Sequence, residues 1–204
     1  MNNYQKHLKQ ISKLKGRPQL LVHVCCGVCS VFPLVYLRKY FDLTIFFSNS
    51  NIYPYEEFER RLDALKQYLQ ILDDPQIKLI IDRYDNDEWI RKLSYLKNEP
   101  EGGIRCRLCY RMRMENAFRY ASDHHYPYCT TIMSISNRKN ADWINEIGAA
   151  LQISYPEVEY LYADFKKNNG INENNRRNRQ LNLYHQCYCG CIYSLKESQK
   201  RSNG

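Results

Sequence analysis

Residues 19–30, Gln-Leu-Leu-Val-His-Val-Cys-Cys-Gly-Val-Cys-Ser, open as an apolar run containing valines and end in three cysteines around one glycine. The run predicts a buried strand that stops at the first cysteines. Ser30–Tyr40 then carries apolar residues at helical spacing, so the cysteines fall on a strand-to-helix turn.

The same alternation continues outward. Residues 42–49 predict a second strand. Residues 56–72 predict a long amphipathic helix, with Pro54 just ahead and Glu56, Glu57 and Glu59 near its start, where the helix dipole favours negative charge. A strand over 77–84 and a short helix over 89–96 follow, and the stretch KNEPEGGI at 97–104 interrupts regular structure. A helix over 105–124, a strand over 128–135, a helix over 140–153 and a strand over 158–165 complete the pattern. Alternation of this kind predicts an α/β fold with a mainly parallel sheet and flanking helices. Ligands in such folds lie beyond the carboxyl ends of the strands. Cys25-Cys26, Ser48–Asn51 and Ser134–Asn140 therefore mark the expected functional face. We expect a basic leader at 1–18, a single domain at 19–195 and a polar tail at 196–204.

Thirty Lys and Arg against twenty-two Asp and Glu leave a net charge of +8, which admits a polyanionic partner and says nothing of fold. No apolar run approaches the ~18–20 residues of a membrane span, and residues 1–17 are polar and basic rather than signal-like. The expectation is a cytoplasmic protein with no membrane partner. Residues 166–186 carry five Lys or Arg among many Asn. They read as a solvated helix or loop, or as a basic surface for a polyanion leading into Cys187.

Eight of the nine cysteines form three tight groups: Cys25, Cys26 and Cys29; Cys106 and Cys109; Cys187, Cys189 and Cys191. Cys129, inside an apolar run, reads as a core thiol. An odd count in a reducing compartment argues against a disulfide framework. Short spacings bring two sulfurs to one side of a turn, and in Cys-Gly-Cys at 189–191 the glycine relaxes the backbone. Metal binding follows. A closed zinc site needs four ligands and would leave several cysteines unused, and vicinal Cys25-Cys26 sits awkwardly around one tetrahedral ion. Thiolate-rich surroundings suit an iron–sulfur cluster as well, and the chemistry leans that way with zinc left open. Thiols at a helix N-terminus should ionise below their usual ~8.5. That applies to the 25–29 turn and to Cys106 and Cys109, where Arg105, Arg107, Arg111 and Arg113 add positive charge.

HVCCGVCS at 23–30, NSNIYPYEEFERR at 49–61, EPEGGIRCRLCYRMRME at 99–115, TTIMS at 130–134, DFKKNNG at 164–170 and YCGCIYS at 188–194 together resemble the QueH-type epoxyqueuosine reductases, in the same order over residues 19–195. The resemblance implies a Rossmann-like, HUP-type fold and a tRNA-modifying enzyme that works without cobalamin. It implies removal of the epoxide oxygen of epoxyqueuosine at the wobble position of tRNA, with electrons from a donor it does not specify. It also implies a [4Fe–4S] cluster and an additional mononuclear iron. Carried over, Cys25, Cys26, Cys106 and Cys109 match the cluster cysteines, and Cys189 and Cys191 match the pair at the second iron or its rim. Cys29 matches a family position of undefined role, and Asp164 is a candidate oxygen ligand, with the alternative that it caps the next helix. Ser50 and Tyr53 stand where the family has Pro and His, His185 where it has Arg, and Cys187 where it has Asn; residues 171–180 fit the pattern poorly.

Turning an epoxide into an alkene and water takes two electrons and two protons. The expected chemistry is a metal Lewis acid beside a low-potential cluster. Candidate proton donors are His23, His185, Tyr188 and Tyr193. The wobble base lies in a single-stranded loop, which proteins read with aromatic or Arg surfaces while Lys and Arg hold phosphates. The segments around Arg105–Arg113 and Lys166–Arg179 and some of the eighteen tyrosines could supply both. Two alternatives remain: a zinc-stabilised tRNA-binding module without redox activity, and an ATP-dependent tRNA-modifying enzyme. The second needs a glycine-rich phosphate loop after the first strand, where this chain offers one glycine among thiols.

Overall fold

The computed structural model describes residues 1–202; Asn203 and Gly204, the end of the expected polar tail, lie outside the described residues. The opening apolar run forms β1 (Gln19–His23), and strands follow at β2 (Asp42–Phe47), β3 (Lys78–Ile81), β4 (Tyr128–Thr131) and β5 (Glu159–Tyr160). They pair in the order β3-β2-β1-β4-β5, every pairing parallel. This is a Rossmann-like α/β sheet with β1 at its centre.

A parallel central strand is buried on both faces, so β1 needs apolar residues at consecutive positions. Leu20 and Val22 face one core, with α2 (Gly27–Leu37) and α3 (Tyr55–Leu72), while Leu21 faces the other, with α5 (Ile104–Asp123) and α6 (Ala141–Ser154). A third, smaller apolar cluster joins Trp89 and Leu93 of α4 (Asn86–Leu93) to Cys109 and Cys191. The last helix, α8, spans Ile192–Ser202.

The basic leader contains a helix, α1 (Asn3–Ile11), opened by a capping box between Asn2 and Gln5. It docks through polar bonds. His7 is buried, 2.6 Å from the Tyr162 carbonyl and 3.0 Å from the Tyr36 hydroxyl, and Gln10 donates to the Tyr160 carbonyl and accepts from the Tyr162 N–H. These bonds take the backbone of Tyr162 out of the sheet, so the strand expected over 158–165 is only Glu159–Tyr160.

The strand expected over 128–135 is also shortened. Thr131 accepts the Met133 N–H, and Ile132–Ile135 winds into one 3₁₀ turn with all four residues buried. A short apolar run is equally suited to a buried strand or a buried turn.

The basic stretch after residue 166 holds α7 (Gly170–Leu181), which packs on α2. Asn174 accepts the Phe32 N–H (3.0 Å) and donates to the Val28 carbonyl (3.0 Å), the two groups that would bond each other in an uninterrupted helix. Asn178 donates to the same carbonyl at 2.8 Å. The buried face of α7 is thus amide rather than apolar, which hides it from hydropathy.

The carboxyl ends of β1, β2 and β4 carry Cys25-Cys26, Ser48–Asn51 and Ser134–Asn140 to one edge of the sheet. Strand order reverses between β1 and β4, where such sheets bind their ligands.

Candidate metal centre

The first thiols stand on a turn fixed from three sides. Asn49 donates to the Val24 carbonyl at 2.8 Å, Cys26 is the extended N-cap residue of α2, and Ser30 donates to the Cys26 carbonyl at 2.7 Å. A Cβ on Gly27 would meet the Ala64 carbonyl oxygen of α3 at 2.4 Å, so only glycine allows this approach. Cys25 and Cys26 Sγ lie 3.8 Å apart, and the sulfurs of Cys25, Cys26 and Cys29 all lie within 4.8 Å of one another.

A second set of thiols assembles across the chain. Cys106 and Cys109 occupy the first turns of α5, and Cys189 and Cys191 the loop before α8. Cys109 and Cys191 share the small apolar cluster. The Gly102 N–H donates to Cys106 Sγ at 3.3 Å and the Ser194 N–H to Cys191 Sγ at 3.4 Å. Arg61, with a side chain 2% exposed, holds the loop from below. It donates to the carbonyls of Cys189 (2.9 Å) and Tyr188 (3.1 Å) while paired with buried Glu57 at 2.7 Å, and Glu57 also accepts from Tyr184. Gly190, at φ +136°, accepts the Tyr53 N–H at its carbonyl (2.8 Å) and passes 3.0 Å from Arg61 Nη1 where a Cβ would lie.

Buried cations stand by both sets. Arg113 bonds Asn49 at 2.5 Å and acts on Cys25 and Cys109; Lys139 acts on Cys25 and is itself acted on by Cys189, Cys25 and Cys29. Burial opposes the charge on Lys139, and the thiolates more than offset it.

Ionisation differs within the site. Cys25 is held well below the usual thiol value, chiefly because Cys26 and Cys29 donate to it, with Lys139 and Arg113 adding to the effect. The bond to Cys25 pushes Cys26 up to about 12, and Cys29 is likewise raised. Burial pushes Cys106 up to about 11 and Cys109 to about 12. The lowering expected for these two from their helix terminus is outweighed by desolvation.

A cavity of about 250 Å³ opens beside the thiols, walled by Cys29, Lys139, Asn178, His185, Gln186 and Cys189. Gln186 Nε2 donates to Cys26 Sγ at 3.1 Å. Cys187 is exposed, and Cys129 is buried in the apolar core, where burial alone raises its pKa and no other thiol acts on it.

The expected proton donors separate. His23 is fully buried between Thr131 Oγ1 (2.8 Å) and the Ser48 carbonyl (3.1 Å), and burial, then Arg113, lowers its pKa to about 3. A carbonyl can only accept, so Nε2 carries the proton and Nδ1 accepts from Thr131; no proton is free for a substrate. Tyr188 borders the cavity with its hydroxyl committed to the Tyr53 carbonyl, and Tyr193 lies under the Arg105 guanidinium at 4.5 Å. His185 is exposed on the cavity wall. Asp164 accepts the Lys166 N–H at 3.3 Å and faces a different hollow, bordered by Lys139, Lys166 and Lys167.

The comparisons with known proteins now bear on this arrangement. The family profile described as Epoxyqueuosine reductase QueH matches residues 20–197. The chain belongs to this family. It is 35% identical over 201 residues to Epoxyqueuosine reductase QueH of Streptococcus pyogenes, covering 95% of this chain and 78% of that one. It is 36% identical over 201 residues to the Staphylococcus epidermidis protein of that name (94% and 84% covered), and 28% identical over 185 residues to that of Thermotoga maritima (89% and 93%). As a QueH-family member the chain is an oxidoreductase. Three of the six motifs that carry the resemblance, at 23–30, 99–115 and 188–194, supply the sulfurs. Arg61, Glu57, Lys139, Asn178 and Gln186 escape a reading by metal-ligand type. Arg61 and Glu57 lie inside the 49–61 motif but show there only as an i,i+4 pair with no stated role, and Gln186 is a polar residue in a polar stretch. Among the described residues no helix is long and apolar enough to cross a membrane.

Proposed function

We propose that the chain reduces epoxyqueuosine to queuosine at the wobble position of tRNA, in the cytoplasm, with a [4Fe–4S] cluster and an adjacent iron. One observation carries this: in a chain of the QueH family, seven thiols from three distant stretches gather in two sets, and one member of each, Cys29 and Cys189, lines the same cavity. The donor set fits iron–sulfur chemistry, being all sulfur, with buried Arg61, Arg113 and Lys139 to offset thiolate charge. Cys25, Cys26, Cys106 and Cys109 would hold the cluster, and Cys189 and Cys191 would flank the second iron. When bound, the cluster supplies low-potential electrons and the iron a Lewis acid. The overall change breaks both epoxide C–O bonds, takes up two electrons and two protons, and releases water. Lys139 and His185 stand on the cavity wall as the groups able to hold a proton near the departing oxygen. The tRNA would be gripped through Arg107, Arg111 and the exposed face of α7. Asp164 stays outside the thiol sets, its carboxylate engaged by the Lys166 turn.

A second partition is favoured by one distance. With Cys25, Cys26 and Cys29 inside 4.8 Å of one another, they could share the single iron and leave Cys106, Cys109, Cys189 and Cys191 for the cluster. Substitution of Cys29 by Ser then removes one iron per chain and spares the sulfide, whereas under the first partition it leaves both counts unchanged.

The decisive experiment is anaerobic reconstitution, assay of iron and acid-labile sulfide, and incubation with epoxyqueuosine-containing tRNA and a low-potential reductant, followed by nucleoside mass analysis. Conversion to queuosine is expected. A protein that holds zinc, lacks sulfide and binds tRNA without converting it would establish the non-redox binding module instead.

A further inference from the structure

Gln186 connects the thiols to the cavity. Its side-chain Nε2 lies 3.1 Å from Cys26 Sγ and 4.0 Å from Cys29 Sγ. An amide N–H can only donate, so the sulfurs are the acceptors. Its Oε1 is buried without a partner, and the side chain forms part of the wall of the 250 Å³ cavity. One end of a single planar group is therefore bonded to sulfur, while the other is an unfilled acceptor beside the space a substrate would enter.

From this we infer that Gln186 sets the electron affinity of the thiolate-held centre and couples it to occupancy of the cavity by a hydroxyl- or ammonium-bearing ligand. The inference rests on the iron–sulfur reading above. Hydrogen bonds to ligating sulfurs withdraw negative charge and favour the reduced, more negative state of a cluster. Leaving a buried acceptor unpaired is costly, so a ligand O–H or N–H is the group the oxygen selects. Donation to the amide oxygen polarises the amide and strengthens its N–H bond to sulfur, as linked hydrogen bonds do. The hydroxyls and secondary amine of the epoxyqueuosine side chain are of that class. Binding of substrate would thus make the centre easier to reduce, and the empty protein would resist idle reduction. Gln186 is a positioning residue in this account, acting through Cys26.

The test is a redox titration of anaerobically reconstituted protein, with and without queuosine-containing tRNA, the product, which is not consumed. Wild type is compared with Gln186→Leu and with Gln186→Asn, whose amide is one methylene too short to reach the sulfur. Both variants should keep wild-type iron and sulfide. Their midpoints should fall by about 59 mV, a tenfold change in the equilibrium of a one-electron couple. The tRNA should raise the wild-type midpoint and leave the variants unmoved. A wild-type midpoint in either loaded variant, or a tRNA-induced rise that survives in both, overturns the inference; loss of the cluster from both would make Gln186 a structural support and also overturn it. Absence of sulfide from wild type would bring down the iron–sulfur reading and this inference with it, whereas unchanged midpoints in loaded protein bring down this one alone.

Discussion

The two thiol sets are built in opposite ways. Cys25, Cys26 and Cys29 lie within five residues on one turn, whose shape follows from β1, α2 and the close pass of Gly27 against α3. Cys109 and Cys189 are eighty residues apart, and their set exists only because Arg61, Gly190 and Trp89 bring a C-terminal loop onto α5. Their electrostatics differ as well. Cys25 is ionised early because two neighbouring thiols donate to it, whereas Cys106 and Cys109 are held protonated by burial. A helix N-terminus is common to both, so it does not decide the outcome; the donors within reach of the sulfur do.

The largest effect should come from the local set. Cys25→Ala removes the sulfur to which Cys26 and Cys29 both donate, and queuosine formation should fall below detection together with loss of bound iron. Conversion retained with full iron would take Cys25 off the list of ligands and leave the turn as packing.

The non-local set should fail through its support. Arg61→Leu leaves the Glu57 carboxylate buried without its cation, a change that costs roughly 3–5 kcal/mol, and it frees the carbonyls of Tyr188 and Cys189. Urea unfolding of the metal-free protein should show a loss of that size, and the reconstituted variant should retain less iron than wild type. A variant as stable as wild type, with full iron, would mean that the apolar contacts of Cys191 with Trp89 hold the loop unaided.

This contrast also marks how far the residues could be read in advance. The alternation of elements, the edge of the sheet to which the first cysteines are carried and the three cysteine groups were legible, because each follows from a periodicity or a spacing within a few residues. The docking of α1 and α7 was not. Both dock through polar side chains, buried His7 and half-buried Gln10 in one and buried Asn174 and Asn178 in the other, and such a helix has the hydropathy of a solvated one. The grouping of Cys106 and Cys109 with Cys189 and Cys191 depends on tertiary contacts that no spacing encodes. Nor did the dipole argument anticipate the protonated state of Cys106 and Cys109, since it carries no measure of burial.

The smallest effect sharpens the comparison by pH, and its sign differs between the two regions. His23, beneath the first set, has a folded pKa of about 3 against an ordinary 6.5. Below pH 6.5 the unfolded chain takes a proton that the folded chain refuses, so stability falls as pH drops, by about 1.4 kcal/mol per unit, or about 2 kcal/mol by pH 5. Cys106 and Cys109, in the second set, have folded values of about 11 and 12 against 9.0. Above pH 9 the unfolded chain loses protons that the folded chain keeps, so the metal-free protein should weaken as pH rises from 9 towards 11. Denaturant midpoints of reduced, metal-free protein at pH 5, 7 and 10 measure both limbs. His23→Gln should reduce the acid limb, to which buried His7 also contributes, and the double substitution Cys106→Ser with Cys109→Ser should reduce the alkaline limb, to which buried Cys129 also contributes. Because thiolate ligands release their protons on binding, loading with iron and sulfide should remove the share of the alkaline limb that Cys106 and Cys109 supply, leaving that of buried Cys129 and the acid limb in place. If the loaded wild type keeps an alkaline limb larger than that of the loaded double variant, these two sulfurs stay protonated in the holoprotein, and so are not ligands.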